Sequence, residues 1–481
     1  MSLIKNNPFN ILVPVEERDE FLLYNTLTGG LDVLTYDDGI QLSGIAMMKH
    51  ADSDNYSQNF INDLSEKEYL IDSDFDVLNL LERNVNETQF KNAGVINLTI
   101  GTTITCNMGC SYCFEFVKPN HTLKDDKVKK GIVDYISQIV TNSGKVVHTL
   151  SVTWYGGEPL INVKAIEDLS VDLRNLAQKF NLKYDANVIT NGIYLNKKNA
   201  DILVKSGVRT AQITIDGARE VHDRKRPLKQ TKGENYFKII RNIAEVDSKD
   251  LSFTIRLNID KEVAESIPTL LDDFYEYGIW PQKNAQIHFD PAWLRSYEEI
   301  DLSEEEGNKR MSVDEYFEFK QNFRLELIKR YNNWAAGINK KTAKLKWDLP
   351  MYQSTCATWA SPISLVIDPN GYVHKCWETI HDDSKAPTNV FEPYDPNRFQ
   401  KYSAFNRYTH SDVCRNCSYL PICDKISCSY EAIKKKVPEC TPWKYKLENY
   451  LKTQYLRMFE QPETITAPQR VDTFNSGHSN K

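Results

Sequence analysis

The sequence lacks the features of a membrane-spanning, secreted or nucleic-acid-binding protein. None of its apolar runs approaches the roughly eighteen continuous residues that a membrane span requires. Its formal net charge is −7, so it has no excess of positive charge to attract a nucleic acid. The first residues, MSLIKNNPFNILVPVEERDEF, lack the basic, apolar and small-residue sections of a signal peptide. We therefore expect a cytoplasmic protein with no membrane and no nucleic-acid partner.

Cysteine is absent from most of the chain, because all ten cysteines fall into two groups. The first group is Cys106, Cys110 and Cys113, and the second is Cys356, Cys376, Cys414, Cys417, Cys423, Cys428 and Cys440. Thiols that only fill a core would be scattered among the apolar residues. A disulfide framework is the alternative, but such frameworks are typical of small secreted chains. The clustering therefore indicates metal sites.

Residues 1–90 combine short strand-like runs with helix-like patterns. The runs FNILVPV, FLLYNT and LDVLTYDDG are separated by turn residues, and NFINDLSEKEYLI and FDVLNLLERN follow with helical periodicity. Three strands followed by helices predict a small α+β domain of the winged-helix type. The alternative is a structural extension of the next domain.

Residues 95–290 alternate apolar strand runs with helical stretches. The six predicted strands are 95–101, 149–155, 185–191, 210–216, 252–258 and 285–290. Strands that alternate with helices form βα units around a parallel sheet, so we predict a partial (β/α)6 TIM-like barrel. Such barrels hold their active sites at the carboxyl ends of the strands, and the first cysteine group directly follows the first strand.

The remaining sequence is predicted to divide into three parts. Residues 291–350 are charged and helical, and we interpret them as a bridge. Residues 351–460 are a cysteine-rich domain whose irregular, turn-rich sequence would depend on metal crosslinks to supply what its core lacks. Residues 461–481 have the composition of a disordered tail. The predicted fold class is thus α/β, with an α+β domain before the barrel and a cysteine-rich domain after it.

The first cysteine group has fewer thiols than a structural metal site needs. A structural zinc site uses four protein ligands, but only three cysteines occur here and no histidine follows at finger-like spacing. Three thiolates on a four-iron cluster would leave one iron open to another ligand.

The arrangement Cys106-x3-Cys110-x-Tyr112-Cys113 resembles the signature of the radical S-adenosylmethionine (SAM) superfamily. The resemblance implies that SAM binds the open iron through its amino and carboxylate groups. It also implies that the cluster donates an electron, that the sulfonium is cleaved, and that a 5′-deoxyadenosyl radical abstracts a hydrogen atom. Tyr112 would contact the adenine.

Further motifs that are similar to those of this superfamily follow the later strands. The GGEP turn at 156–159 would approach SAM closely through its glycines and accept a hydrogen bond from the SAM ammonium through Glu158. Thr214 would donate a hydrogen bond to SAM, and Arg226 would pair with its carboxylate through two parallel donors. Asn258 either binds SAM or only caps a strand. The SAM-binding candidates are Tyr112, Gly156, Gly157, Glu158, Thr214, Arg226 and Asn258.

The second cysteine group resembles the SPASM extension of radical SAM enzymes, although four residues precede its sixth cysteine where three are common. Such extensions typically carry two auxiliary [4Fe–4S] clusters, which gives three clusters in all. The outer auxiliary cluster would be held by Cys414, Cys417, Cys423 and Cys440. The inner cluster would be held by Cys356, Cys376 and Cys428. Either a substrate thiolate, which could later form a thioether with a carbon radical, or an Asp, Glu, His or water would complete the inner cluster. A zinc module is the other alternative.

The resemblance implies a peptide or protein substrate, and the first hypothesis is a radical SAM peptide maturase. It would abstract a hydrogen atom from a ribosomally synthesised precursor peptide and install a thioether or another intramolecular crosslink. Residues 1–90 would then resemble the peptide-recognition element of such enzymes, which holds a leader peptide as an added strand. The other implied partner is an electron donor such as flavodoxin or ferredoxin.

Two alternatives remain open at this point. The first is a sulfatase-maturating enzyme, in which an aspartate base follows the second cysteine of the extension. In this chain Trp377 and Glu378 follow Cys376, and Tyr155 replaces the glutamine that usually precedes GGEP. The second is a non-catalytic iron–sulfur electron carrier, which would leave the GGEP turn unexplained. The candidates for a catalytic base are Asp216, Asp290, Glu378 and His288.

Overall fold

This computed structural model describes residues 3–87, 93–113, 115, 119–230, 235–246, 249–294, 307–403, 405–435 and 440–460. The predicted tail at 461–481 lies outside the described residues. Where the structure is described, no helix has both the length and the apolar character that crossing a membrane requires.

Strands and helices both occur along most of the chain. In sequence order, the strands are β1 (Leu3–Asn6), β2 (Asn10–Val15), β3 (Glu20–Asn25), β4 (Leu31–Thr35), β5 (Ala51–Asp52), β6 (Leu70–Asp72), β7 (Val95–Thr103), β8 (Thr149–Gly156), β9 (Lys183–Thr190), β10 (Val208–Thr214), β11 (Ser252–Ile259), β12 (Ile287–Trp293), β13 (Leu365–Ile367), β14 (Tyr372–His374) and β15 (Thr388–Asn389). The helices are α1 (Tyr36–Ala46), α2 (Gln58–Glu66), α3 (Val77–Val85), α4 (Asp126–Ser143), α5 (Val163–Lys179), α6 (Lys197–Lys205), α7 (Arg219–Lys225), α8 (Asn235–Glu245), α9 (Lys261–Glu276), α10 (Val313–Gly337), α11 (Ala357–Ala360), α12 (Gln400–Ser403), α13 (Asp412–Arg415), α14 (Ser429–Lys435) and α15 (Trp443–Glu460).

The chain divides into two compact units, neither of which is continuous in sequence. The meander unit consists of Met1–Asn86, Arg324–Cys356 and Phe405–Lys481. The parallel-sheet unit consists of Glu87–Phe323 and Ala357–Ala404.

The parallel-sheet unit contains a nine-stranded sheet with the order β12-β11-β10-β9-β8-β7-β13-β14-β15. Strands β7 to β12 pair in parallel with their neighbours in sequence, as the alternation of strands and helices predicts. Because the strands are parallel and consecutive, their carboxyl ends meet at one edge. The mixed α/β class and the central parallel sheet are confirmed.

Part of the cysteine-rich segment extends this sheet, which the sequence did not predict. Strand β13 pairs in parallel with β7 and in antiparallel with β14, which pairs in antiparallel with β15. The hairpin between β13 and β14 depends on Asp368, whose Oδ1 accepts hydrogen bonds from the backbone N–H groups of Asn370 and Tyr372. This segment therefore packs as sheet and does not depend on metal alone.

The meander unit contains the antiparallel sheet β2-β3-β4, followed in the chain by α1, α2 and α3. Side chains of Thr35, Ser57 and Asp76 cap the amino ends of these helices, a role in which Thr, Ser and Asp are favoured. The three predicted strands correspond to β2, β3 and β4. The sequence analysis did not predict β1, β5 and β6, which form a second small sheet of order β5-β1-β6. Because β5 and β6 lie between the helices, the order is not simply strands followed by helices.

Candidate active site

A cavity of about 470 Å³ opens at the carboxyl ends of the parallel strands. Its wall contains all three cysteines of the first group and most of the predicted SAM-binding residues. The predicted residues that line it are Cys106, Cys110, Tyr112, Cys113, Gly156, Gly157, Thr214, Arg226 and Asn258. Side chains from five strand ends and the cysteine loop thus meet at one place, as the barrel topology requires.

The glycine pair after β8 permits a close approach between two backbones. Gly156 has a φ of +122°, and a Cβ atom there would lie 2.1 Å from the carbonyl oxygen of Thr103. A Cβ atom on Gly157 would lie 2.3 Å from the carbonyl oxygen of Ile104. The N–H of Gly157 donates to the Thr103 carbonyl at 2.9 Å. These glycines therefore hold the turn against the start of the cysteine loop as well as lining the cavity.

Glu158 is fully buried, and its carboxylate joins the turn after β8 to the end of β9. Its Oε1 accepts hydrogen bonds from the Leu160 N–H at 3.0 Å and the Thr190 hydroxyl at 2.7 Å. Its Oε2 accepts from the Asn191 N–H at 2.7 Å. Burial raises the pKa of Glu158, although these hydrogen bonds act in the opposite direction. Three donors leave room for about one more at the carboxylate, so a contact with the SAM ammonium remains a prediction.

The thiol of Cys106 is buried beside hydrogen-bond donors. Its Sγ accepts from the Met108 N–H at 3.4 Å and lies 4.0 Å from Nδ2 of Asn191. Donors of this kind stabilise thiolates that bind iron. No disulfide joins any of the ten cysteines, all of which belong to the described part of the chain. The donor set and its surroundings therefore fit an iron–sulfur cluster.

Arg226 forms a charged centre of the cavity wall beside the cysteine loop, and Asp216 contacts it without lining the cavity. Arg226 Nη1 donates to the Tyr112 hydroxyl at 2.6 Å and lies 3.6 Å from Asp216 Oδ2. The Tyr112 hydroxyl also donates to Asp216, while the backbone N–H of Asn258 donates to Asp216 Oδ1 at 3.0 Å. Burial alone would lower the pKa of Arg226, but Cys110, Tyr112 and Asp216 raise it well above its ordinary value. The guanidinium is therefore permanently charged at the cavity wall.

His222 holds the backbone of Asp216 in place. It is fully buried, and its Nδ1 accepts a hydrogen bond from the backbone N–H of Asp216 at 3.1 Å. Burial and the nearby Arg226 hold its pKa well below the usual range. The imidazole is therefore neutral and fixes the backbone that carries Asp216.

The candidate bases are less favourably placed than the SAM-binding candidates. Asp216 is enclosed by its hydrogen bonds with Tyr112 and Asn258, and Asp290 pairs with Arg256 at 2.6 Å. His288 is exposed at the amino end of β12, away from the strand ends that carry the cavity. Glu378 is partly buried and follows a residue of the cavity wall. Among the described residues that line the cavity, none of these four candidates occurs.

Tyr155 and Trp377 are neighbours in the cavity wall. Both differ from the residues that are expected at these positions in a sulfatase-maturating enzyme. The rings of Tyr155 and Trp377 have centroids 5.0 Å apart. Both rings are in contact with a buried apolar cluster that includes Ile104 and Val366. They present an apolar surface at the place where the alternative reaction would have a carboxylate.

Several functional residues were missed by the sequence analysis. Asn191 donates from Nδ2 to Asn107 Oδ1 at 2.7 Å, which joins the end of β9 to the cysteine loop. Arg256 and Trp293 line the cavity on β11 and β12. The strand-end rule that identified Thr214 could have identified Asn191, because it directly follows β9.

The second cysteine group is distributed over both units. Six of its cysteines lie in the meander unit, and Cys376 lies in the parallel-sheet unit, two residues after the end of β14. Lys444 Nζ is 3.8 Å from Cys440 Sγ, and the charges of Cys440 and Cys417 raise the pKa of Lys444. The N–H of Cys417 donates to the carbonyl of Cys414 at 3.0 Å. Cys414 and Cys417 are therefore neighbours, and Cys440 lies beside Lys444, while a shared cluster for all four predicted outer ligands stays a prediction.

A buried arginine organises the rest of the cysteine segment of the meander unit. Arg407 Nη2 donates to the carbonyls of Leu420 at 2.6 Å and Cys423 at 2.9 Å. The N–H of Cys356 donates to the Ser427 carbonyl at 2.9 Å, next to Cys428 in the chain. These contacts bring two predicted inner ligands near each other, and the place of Cys376 in that set stays a prediction.

Comparison with known proteins identifies the class of the segment that carries the cavity. Residues 100–274 match the model of the Radical SAM superfamily, so this segment is a radical SAM domain. The chain is 31% identical over 139 residues to an uncharacterized protein of Methanocaldococcus jannaschii, which covers 29% of this chain and 44% of that protein. It is 24% identical over 165 residues to the radical SAM cyclopropyl synthase TigE of Paramaledivibacter caminithermalis, over 30% of this chain and 34% of that protein. These findings indicate an enzyme.

The chain spans less than half the length of these curated relatives. Among solved structures, it is similar to native anSMEcpe with bound AdoMet and Cp18Cys peptide, with a TM-score of 0.51 and 17% identity. That match covers 76% of this chain and 98% of the other. At this identity the likeness concerns the fold alone.

Proposed function

We propose that the protein is a radical SAM peptide maturase that installs an intramolecular crosslink, most simply a thioether, in a ribosomally synthesised precursor peptide. The observation that carries the proposal is the cavity at the strand ends. The cavity brings three thiols together with a buried guanidinium and its hydroxyl and amide neighbours. A cluster and the amino-acid end of SAM need this combination of ligands.

Each residue of the cavity has a role in this proposal. Cys106, Cys110 and Cys113 would hold a [4Fe–4S] cluster. Arg226 would bind the SAM carboxylate, while Tyr112 and Asp216 keep the guanidinium in a fixed orientation. When bound, the cluster and SAM supply a 5′-deoxyadenosyl radical, which abstracts a hydrogen atom from the substrate. Because Tyr155 and Trp377 are apolar wall residues, they would exclude water from the site of abstraction.

Thioether formation is favoured because the inner auxiliary cluster would have only three cysteine ligands. A substrate thiolate bound at that open iron could later bond to the carbon radical and give the thioether. We further propose that a flavodoxin or ferredoxin supplies the electrons. In this proposal the protein carries two auxiliary [4Fe–4S] clusters, which take part in the electron transfer. A peptide substrate is consistent with the similar anSMEcpe structure, which contains a peptide together with AdoMet.

The sulfatase-maturating alternative is less well supported by this site. Its base would directly follow Cys376, where this chain has Trp377, and that ring is packed on Tyr155 in the cavity wall. Glu378 follows but does not line the cavity. The electron-carrier alternative leaves Arg226 and Asp216 without a function, because an electron carrier needs no buried guanidinium beside its cysteines.

A leader peptide would bind at the β4 edge of the meander unit as an added strand. In the sheet β2-β3-β4, strand β2 packs against α15, whose Lys452 pairs with Glu16 at 2.6 Å. Strand β4 is the other edge, and it exposes Val33 beside Tyr36 and Ile40 of α1. Backbone hydrogen bonds at such an edge give affinity, and apolar side chains next to it give specificity. This arrangement supports the peptide-recognition role of residues 1–90.

A charge at this edge should weaken peptide binding and leave SAM chemistry intact. We expect Val33→Glu to bind the precursor peptide about tenfold more weakly, because the leader would lose an apolar contact worth about 1.4 kcal/mol. Fluorescence anisotropy of the labelled precursor measures the affinity, and 5′-deoxyadenosine release measures the chemistry. The matched control is Val171→Glu, which changes an exposed valine of α5 in the other unit.

Equal peptide affinity in Val33→Glu and the unaltered enzyme would contradict leader binding at β4. Substitution is preferable to deletion of residues 1–90, because the deletion would break the meander unit itself. Tyr24, for example, is buried and donates its hydroxyl hydrogen bond to the Pro350 carbonyl at 2.8 Å.

The reaction itself is tested with a cysteine-containing precursor peptide, which is to be sought among short open reading frames beside the gene. The reduced, cluster-loaded enzyme and SAM should remove two hydrogens from the peptide and consume one thiol, which mass spectrometry and thiol alkylation detect. Loss of hydrogen with every thiol intact would replace the thioether by a carbon–carbon or carbon–oxygen link. Cleavage of SAM without any change in the peptide would exclude the maturase function for that peptide.

A further inference from the structure

A second cluster of metal-ligating side chains lies in the parallel-sheet unit, outside the active-site cavity. It consists of His121, Asp368 and Asp383, each of which offers one ligand atom. These three atoms all lie within 4.8 Å of one another. One imidazole nitrogen with two carboxylate oxygens suits a first-row transition ion such as Mn²⁺, Fe²⁺ or Zn²⁺.

The buried carboxylate of Asp368 is only half explained by the hairpin that it caps. Its Oδ1 accepts from the N–H groups of Asn370 at 3.0 Å and Tyr372 at 2.7 Å. Its Oδ2 has no hydrogen-bond partner among the described residues. Because Asp368 is completely inaccessible to solvent, bulk water does not supply one either. A buried carboxylate oxygen without a partner is costly, so its presence indicates a ligand that binds there.

The neighbouring carboxylate of Asp383 adds to this argument. Asp368 and Asp383 each have a carboxylate oxygen within 4.8 Å of the other. Two carboxylates at this distance repel each other unless a cation or a shared proton lies between them. The side-chain amide of Asn370 lies beside His121, with its Nδ2 at 2.9 Å from His121 Nδ1. When this amide is turned so that its oxygen accepts from Nδ1–H, Nε2 is free to bind the metal, as in histidines that donate their other ring N–H to an acceptor.

We propose that His121, Asp368 and Asp383 bind a divalent transition-metal cation with a structural role. The cation would join the segment after the first cysteine group to the segment that contains Cys376. The backbone of His121 already supports the first of these, since its carbonyl accepts from the Ile104 N–H at 2.9 Å and the Thr103 hydroxyl at 2.8 Å. Asp368 and Asp383 lie before and after Cys376 in the chain. Metal binding at this site does not depend on the proposed maturase function or on the identity of the peptide.

Binding of Mn²⁺ to the cluster-loaded protein tests this site. After removal of loosely bound metal with a chelator, Mn²⁺ is added to the oxidised protein, whose [4Fe–4S]²⁺ clusters are diamagnetic. Loss of the electron paramagnetic resonance signal of free Mn²⁺ measures binding. We expect about one Mn²⁺ per chain, and at least roughly tenfold weaker binding in Asp383→Asn and Asp368→Asn. Asparagine at 368 can still accept both hydrogen bonds of the hairpin.

The matched control is Asp395→Asn, because Asp395 Oδ1 also accepts a backbone hydrogen bond, from Asn397 at 2.9 Å, and lies in the same unit. This variant should bind Mn²⁺ as the unaltered protein does. If Asp368→Asn fails to fold, the partly exposed Asp383→Asn decides the question. Failure of the unaltered protein to retain Mn²⁺, or equal affinity in Asp383→Asn, would overturn the proposal and leave a shared proton between the two carboxyl groups. Because the readout is metal binding, failure of the proposed enzymatic function would not affect it.

Discussion

The variant Arg226→Lys should bind SAM roughly 30-fold more weakly than the unaltered enzyme, a loss of about 2 kcal/mol. Lysine keeps the positive charge but loses the planar pair of donors that matches a carboxylate. It also cannot donate to the Tyr112 hydroxyl and face Asp216 with the same geometry. Equilibrium dialysis with labelled SAM on the cluster-loaded protein measures the affinity, and release of 5′-deoxyadenosine should fall with it.

The control for this variant is Arg224→Lys, two residues earlier in the last turn of α7. Arg224 pairs with Glu262 at 2.9 Å, but its side chain is mostly exposed, so the change should be nearly neutral. Iron content and the thermal unfolding midpoint show whether either variant is misfolded. Unchanged SAM affinity in a folded Arg226→Lys variant would remove Arg226 from the SAM site.

The variant Cys106→Ala should release no 5′-deoxyadenosine, because a four-iron cluster with two thiolate ligands is not retained in the cavity. Cys106 is the buried member of the first group, and its Sγ is surrounded by the Met108 N–H and the amide of Asn191. Loss of this thiol also removes the acceptor of the Met108 N–H, whereas the Asn191 amide keeps its hydrogen bond to Asn107. The assay is chromatographic detection of 5′-deoxyadenosine after reduction in the presence of SAM.

Iron and acid-labile sulfide analysis of the same variant separates the first cluster from the auxiliary ones. The unaltered protein should contain about twelve irons per chain and Cys106→Ala about eight. Ser111→Ala, which changes the same loop without touching a thiol, should retain all of the iron. About four irons in the unaltered protein would exclude two auxiliary [4Fe–4S] clusters and favour zinc in the second cysteine group.

The order of strands and the location of the cavity could be predicted from sequence because both depend on local patterns. The alternation of apolar runs with helical periodicity indicated six parallel strands, and β7 to β12 begin and end within three residues of the predicted bounds. Parallel strands must meet at one edge, so Cys106, Gly156 and Thr214 had to lie near one another once the topology was assumed.

The contacts between distant segments could not be predicted, because no local pattern encodes them. Strand β13 pairs with β7 although more than 260 residues separate them, and no alternation in the cysteine-rich segment indicated a strand. The backbone contact that requires glycine at 157 involves Ile104, in another loop. Asp216 was a candidate base by its position at a strand end, but its partners Tyr112 and Arg226 come from other parts of the chain.

The most direct test of the proposed function is transfer of deuterium from the precursor peptide to 5′-deoxyadenosine. The reduced, cluster-loaded enzyme is incubated with SAM and a carbon-deuterated precursor, and the nucleoside is analysed by mass spectrometry. If the radical abstracts deuterium from the peptide carbon, 5′-deoxyadenosine gains that deuterium, and the peptide loses one deuterium and the hydrogen of one thiol. Formation of 5′-deoxyadenosine without deuterium, together with an unchanged peptide, would contradict the function proposed for this cavity.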